Sequence, residues 1–185
     1  MLIEVKVQSL GLDRASNTPV VILQEADGDR VLPIWIGPGE ASAIAMQLAE
    51  MKFSRPLTHD LIMSVVRRLG ADLTRVIITR VSDSTYFAEL EIRLNGETVR
   101  VDARPSDSIA VALRSSARIF ANDSLLEKAQ IEIAEAESET PDFSAVADDE
   151  GEGGEDDDAP PFTNPEELKE YLRRLNPEDF GRFTP

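Results

Sequence analysis

One order of elements occurs twice between Met1 and Gln130, and it restricts the fold more than any other feature of the chain. Ile3, Val5 and Val7 alternate with Glu4, Lys6 and Gln8, the two-residue period of a half-buried strand. Strand-like runs follow at Val20–Glu25 and Arg30–Ile36, joined by the turn Ala26-Asp27-Gly28-Asp29, a hairpin signal. Pro33 lies inside the third run. It cannot donate to a ladder, so it predicts an edge strand or a bulge. After Gly37 the period lengthens. Glu40–Met51 is rich in good helix formers. A second helix is expected from Thr58, as its cap, to Leu69, with Ile62, Val65, Val66 and Leu69 as its apolar stripe and Gly70 as its stop.

The same order then returns. Leu73–Val81 and Tyr86–Leu94 read as strands around Ser82-Asp83-Ser84, and Asn95-Gly96 turns the chain into a third strand over Thr98–Ala103. Ser106 caps a helix reaching about Ser115, and Asp123 or Ser124 begins another through Leu125, Leu126 and Ala129. The chain therefore reads βββαα twice. The strand-to-helix junctions Pro38-Gly39-Glu40-Ala41 and Pro105-Ser106-Asp107-Ser108 fall at the same place in each half, which favours an internal duplication.

Charge divides the chain differently. Of 185 residues, 42 % are hydrophobic, enough for a packed core, and the formal charge is −16. Such acidity argues against nucleic acid, whose partners usually carry a basic face. Its distribution weakens that argument. Residues 1–130 hold 17 acidic and 15 basic side chains, whereas residues 131–185 hold 18 acidic and 4 basic. The body is near neutral, and the tail carries the charge.

The expected organisation is a domain over 1–136, a disordered acidic linker over 137–163 and a short amphipathic helix and tail over 164–185. The linker has 11 acidic and no basic residues between Glu137 and Pro165, too much repulsion and too little apolar mass to fold. Beyond it, Asn164-Pro165-Glu166-Glu167 is a helix start, followed by the stripe Leu168, Tyr171, Leu172 and Leu175. A lone helix so short is marginal in water, so it is expected to dock on its own body or on a partner. The N-terminus lacks a signal peptide's apolar stretch, and no run approaches the ~18–20 apolar residues of a membrane span. The expectation is a soluble, cytoplasmic chain with no membrane contact.

Candidate chemistry is sparse. There is no cysteine and only one histidine, so thiolate and multi-histidine metal sites are excluded within one chain. Phosphate-loop and dinucleotide glycine motifs are absent. Any metal is expected to be hard and oxygen-preferring, Mg²⁺ or Mn²⁺. Glu40, Asp60 and Asp107 fall at predicted helix starts, where the dipole alone favours acids. Taken together they allow more. Helix starts bind phosphate, and carboxylates beside them can hold a divalent ion that polarises a phosphodiester. His59 suits general acid–base work or is a plain surface histidine. Arg104 can fork onto a phosphate or pair with Asp102. Trp35 is expected in the core, and Met46, Met51 and Met63 in packing. Arg67-Arg68 suits the end of a helix dipole, a nucleic-acid contact being the lesser alternative.

Three segments carry a resemblance. They are Pro33-Ile34-Trp35-Ile36-Gly37 with Glu40-Ala41, then Arg55-Pro56-Leu57-Thr58-His59-Asp60-Leu61, then Asp102-Ala103-Arg104-Pro105-Ser106-Asp107-Ser108-Ile109-Ala110. In this order they resemble the bifunctional nuclease domain family over about residues 1–130. The resemblance implies an α+β fold, two β3α2 repeats forming a single barrel-like mixed sheet with helices packed outside. It also implies nuclease activity on DNA and RNA. Carried onto matching positions, the motif residues are Glu40, His59, Asp60, Asp102, Arg104 and Asp107. Ser108 stands where many relatives have alanine. The acidic linker and short helix do not resemble the partner-binding module that some members carry.

The expected function is thus a metal-dependent nuclease. Its catalytic residues are Glu40, His59, Asp60 and Asp107, its substrate-binding residues Arg104 and Ser106, and its metal ligands Glu40, Asp102 and Asp107. The contrasting expectation is a non-catalytic, oligomeric binding or regulatory module. A homo-oligomer, a dimer first, is expected in either case. The tail is expected to act as an autoinhibitory mimic of a phosphate backbone, to hold a basic partner, or to serve as a solubilising tether.

Overall fold

The computed structural model describes residues 1–13 and 16–129. The expected boundaries after 136 and 163, the acidic linker and the helix from 164 lie outside the described residues. Seven strands form one mixed sheet: β1 (Leu2–Asp13), β2 (Thr18–Glu25), β3 (Val31–Trp35), β4 (Ala71–Ser82), β5 (Thr85–Leu94), β6 (Glu97–Ala103) and β7 (Arg118–Asn122). Among the described residues four helices accompany it: α1 (Pro38–Leu48), α2 (Thr58–Arg68), α3 (Pro105–Ser115) and α4 over residues 123–129.

The sheet order is β3-β2-β1-β7-β4-β5-β6. Two antiparallel meanders, β1–β2–β3 and β4–β5–β6, flank β7, which pairs antiparallel with β1 and parallel with β4. The edges β3 and β6 do not pair with each other among the described residues, so the sheet is open where a barrel-like closure was expected. Pro33 falls on edge strand β3, as its missing donor requires. The two hairpins of the second meander turn on Asp83-Ser84 and Asn95-Gly96, all with positive φ. That is the twist-matched geometry of two-residue hairpin loops.

Strand β7 is the element the pattern of repeats does not contain. It follows α3 directly, after Ser116 takes a left-handed φ of 56°, and it joins the two meanders. Helix α3 lies at the centre of the helical layer, packed on α1, α2, β4, β5 and β7. Ile109, Ala110, Val111 and Ala112 bury its inner surface against Ile44, Val76, Ile78 and Leu126. The alanines keep this helix thin, so α1 and α2 can both approach it.

Two expectations about packing change. Trp35 is 50 % exposed rather than core. It sits at the end of an edge strand, and its Nε1 donates to Asp13 Oδ2 (3.1 Å) at the surface. The apolar stripe of α2 is also largely uncovered. Met63 is buried and Val66 packs on the core, while Leu61, Ile62, Val65 and Leu69 are exposed. Met46 and Met63 are buried, and Met51 packs against the core.

Candidate functional site

Three helix starts open onto one cleft of about 640 Å³, bounded on its far side by β5 and β6. Helices α1 and α3 begin alike. Each has an extended cap residue, Gly37 (φ −74°, ψ 160°) and Arg104 (φ −72°, ψ 146°), then proline, then an acid in the first turn. Proline suits the first helical position because its missing N–H has no partner there. The acid meets the positive end of the dipole. These rules bring the carboxylates of Glu40 and Asp107 to the cleft.

Arg104 holds both. Its Nη1 lies 2.8 Å from Glu40 Oε1, and its Nε lies 2.9 Å from Asp107 Oδ2. His59, in the first turn of α2, places Nε2 3.1 Å from Asp107 Oδ1. Burial, the largest single influence on Asp107, raises its carboxyl. Hydrogen bonds from Arg104 and His59, with the charges of both, outweigh burial and leave it below the usual aspartate range. Arg104 is held even more firmly cationic, first by its hydrogen bond to Asp107 and then by Glu40. An ionised carboxylate only accepts hydrogen bonds. In the neutral His59 imidazole, Nε2 therefore carries the proton and Nδ1 the lone pair. The imidazole is mostly buried, with 12 % of its side chain exposed.

Of the other expected residues, Asp60 and Ser106 lie outside the cleft lining, whereas Asp102 belongs to it. Asp60 turns away from the cleft. Its Oδ2 accepts the Leu57 N–H (2.9 Å), and its Oδ1 accepts from Arg114 Nε (2.8 Å). Leu57, not Thr58, is thus the cap of α2; its side chain has no acceptor, and Asp60 binds back to its backbone N–H. Ser106 is buried in the first turn of α3 and does not line the cleft. Asp102 lines it from β6, but Arg104 pairs with Glu40 and Asp107 rather than with Asp102.

These positions bear on the expected metal. No group of three or more His, Asp or Glu side chains among the described residues is placed to hold an ion. A guanidinium already bridges the Glu40 and Asp107 carboxylates. In this arrangement the donor set fits Arg104 and not a divalent cation.

Two contributions were not legible in the sequence. Ile62, Leu90, Val101 and Val111 give the cleft an apolar wall, assembled from four elements far apart in the chain. Arg114 reads as an ordinary cation in the last turn of a helix, yet its side chain is only 5 % exposed. Its burial is the signal, and only the fold shows it.

A model of the bifunctional nuclease domain matches residues 21–134. The chain belongs to the bifunctional nuclease domain family. The matched region takes in every residue of the Glu40–His59–Arg104–Asp107 cluster. A Mycobacterium tuberculosis (strain ATCC 25618 / H37Rv) protein of uncharacterised function is 38 % identical over 177 residues, 96 % of this chain and 97 % of its own length. The protein named bifunctional nuclease 1 of Oryza sativa subsp. japonica is 26 % identical over 113 residues, 60 % of this chain and 34 % of its own. Its Arabidopsis thaliana namesake is 28 % identical over 108 residues, 56 % of this chain and 33 % of its own. The region shared with this chain thus spans about a third of each plant protein. No helix among the described residues is long and apolar enough to cross a membrane.

Proposed function

We propose that this member of the bifunctional nuclease domain family hydrolyses phosphodiester bonds of DNA or RNA in the cleft between α1, α2 and α3. The observation that supports this most is the His59–Asp107–Arg104 arrangement. Arg104, two-thirds exposed, offers a forked donor to a phosphate. Asp107 fixes the imidazole tautomer, so that His59 Nδ1 can take a proton from water. The water oxygen attacks phosphorus, the bond to the leaving oxygen breaks, and that oxygen takes the proton back from His59. A diester and water become a monoester and an alcohol. Glu40 holds the far side of Arg104. Asp60 and Ser106 enter this reading only as supports of the helix starts.

No step runs through a metal, because the carboxylates are already bridged. A requirement for Mg²⁺ or Mn²⁺, with Glu40, Asp102 and Asp107 as its ligands, is a separate proposal. It demands that Arg104 first leave the pair. Self-association, as a dimer first, is also proposed. It is supported by Leu61, Val65 and Leu69, which α2 leaves exposed, and a monomeric mass by light scattering at high concentration would count against it.

One observation favours a second reading. Three carboxylates and one guanidinium line the cleft, a poor electrostatic fit to a polyanion. A non-catalytic binding module is consistent with that charge. End-labelled single-stranded and duplex DNA and RNA, incubated with wild type and with His59→Gln, separate the two. Cleavage by the wild type that drops with the variant supports the nuclease. A wild type that neither binds nor cleaves them supports the module.

A further inference from the structure

We infer that Arg114 is the positioning residue of the cleft: one buried guanidinium sets the three helices that carry Glu40, His59 and Asp107. This rests on the cleft being the working site. Three contacts carry the inference. Arg114 Nη2 donates to the Ala43 carbonyl of α1 (3.1 Å), one turn beyond Glu40. Its Nε donates to Asp60 Oδ1 of α2 (2.8 Å), next to His59. Its Nη1 donates to the Ala110 carbonyl of α3 (2.9 Å). Asp107 precedes Arg114 on the same helix by about two turns. The second oxygen of Asp60 caps α2 at Leu57, so the link continues into the backbone that presents His59.

The chemistry explains why arginine stands here. A buried cation must be paired and hydrogen-bonded to be tolerated. Asp60 supplies the charge and the two carbonyls supply acceptors. Each acceptor lies on a different helix, so the guanidinium is satisfied only in one mutual arrangement of α1, α2 and α3. A planar fork can reach three helices at once, whereas a lysine ammonium is a point donor on a flexible stem. The partners of the guanidinium are Ala43, Asp60 and Ala110 rather than His59, Asp107 or Arg104, so its action on the chemistry runs through backbone placement. A displacement of about 1 Å at a catalytic group can cost about 100-fold in rate.

The test uses the full chain and its single histidine, whose imidazole Hε1 gives one proton resonance. Arg114→Ala is expected to move that resonance and to lower kcat for oligonucleotide cleavage by about 100-fold, with KM changed much less. Millimolar guanidinium chloride, compared with equal sodium chloride, is expected to return the resonance toward its wild-type position. Should Arg114→Ala fail to fold, Arg114→Lys keeps the charge beside Asp60 and loses the fork, and a shifted resonance is expected there too. A folded variant with an unmoved resonance and wild-type kcat overturns the inference. Absent cleavage by the wild type, with a resonance that moves and is rescued, overturns the nuclease reading and leaves the positioning role standing.

Discussion

Helices α1 and α3 start from nearly the same backbone and end up with different tasks. Both have an extended cap, a proline and an acid in the first turn. The difference lies in the cap itself. Position 104 is arginine, and its counterpart is Gly37. The Arg104 guanidinium pairs with the acid of its own helix and reaches across to Glu40. At Gly37 there is no side chain, and a Cβ there would run into the Glu40 carboxylate. One helix start therefore supplies the cation and the other leaves room for a carboxylate to meet it. Asp107 further differs from Glu40 in having His59 as a partner.

The comparison predicts unequal effects from like substitutions. The largest belongs to Asp107→Asn, which weakens the Arg104 pair and lets the His59 tautomer change. A loss of about 10²–10⁴-fold in kcat is expected, because His59 in the other tautomer no longer acts as the general base. Glu40→Gln leaves Arg104 held by Asp107, so the expected loss is about tenfold, or about 1.4 kcal/mol. Equal losses in the two variants would break the asymmetry. Gly37→Ala is smaller still. Its φ is one that alanine adopts freely, and only the flexible end of Glu40 must move. A two- to threefold fall in kcat (a rough figure, below about 1 kcal/mol) and little change in thermal midpoint are expected.

Acid sharpens the same contrast. The Asp107 carboxyl is lowered in the folded chain, so the folded state binds its proton less readily than the unfolded state does. The stabilisation is present above the unfolded value, about 3.9, and is lost as pH falls through the lower folded value. The gap in thermal midpoint between wild type and Asp107→Asn should be open at neutral pH and close below about pH 4. A gap independent of pH would contradict the pairing.

Metal removal is expected to have the smallest effect on this arrangement. Chelation should leave the Arg104 pairs intact and the His59 resonance unmoved. Loss of cleavage on chelation, restored by Mg²⁺ or Mn²⁺, would show that Arg104 yields its place to an ion during turnover.

Much of this was legible beforehand, for local reasons. Period-two alternation, Asn95-Gly96 and the two Pro-containing helix starts are short-range signals, and each marks an element the structure contains. Strand β7 was not legible. It is five residues long. Its parallel partner β4 is separated from it in the chain by β5, β6 and α3, so no hairpin signal announces the pairing. Trp35 and the stripe of α2 mislead because apolar periodicity states which residues share a face, not whether another element covers it. Within the cleft, Glu40, His59, Arg104 and Asp107 converge, and Asp102 joins the lining. Asp60 leaves the expected catalytic set, and Arg114, which no sequence signal singles out, becomes its partner. The acid beside the histidine proves to be part of the scaffold, and the cation at a helix end reaches across three helices.

The measurement closest to the central claim is cleavage of an end-labelled oligonucleotide by highly purified wild type and Asp107→Asn, each shown to be folded by its thermal transition. Cleavage by the wild type with at least a hundredfold loss in the variant, roughly the lower bound for disabling the general base His59, is the predicted result. Equal cleavage by both proteins would place the activity outside this cleft and contradict the account.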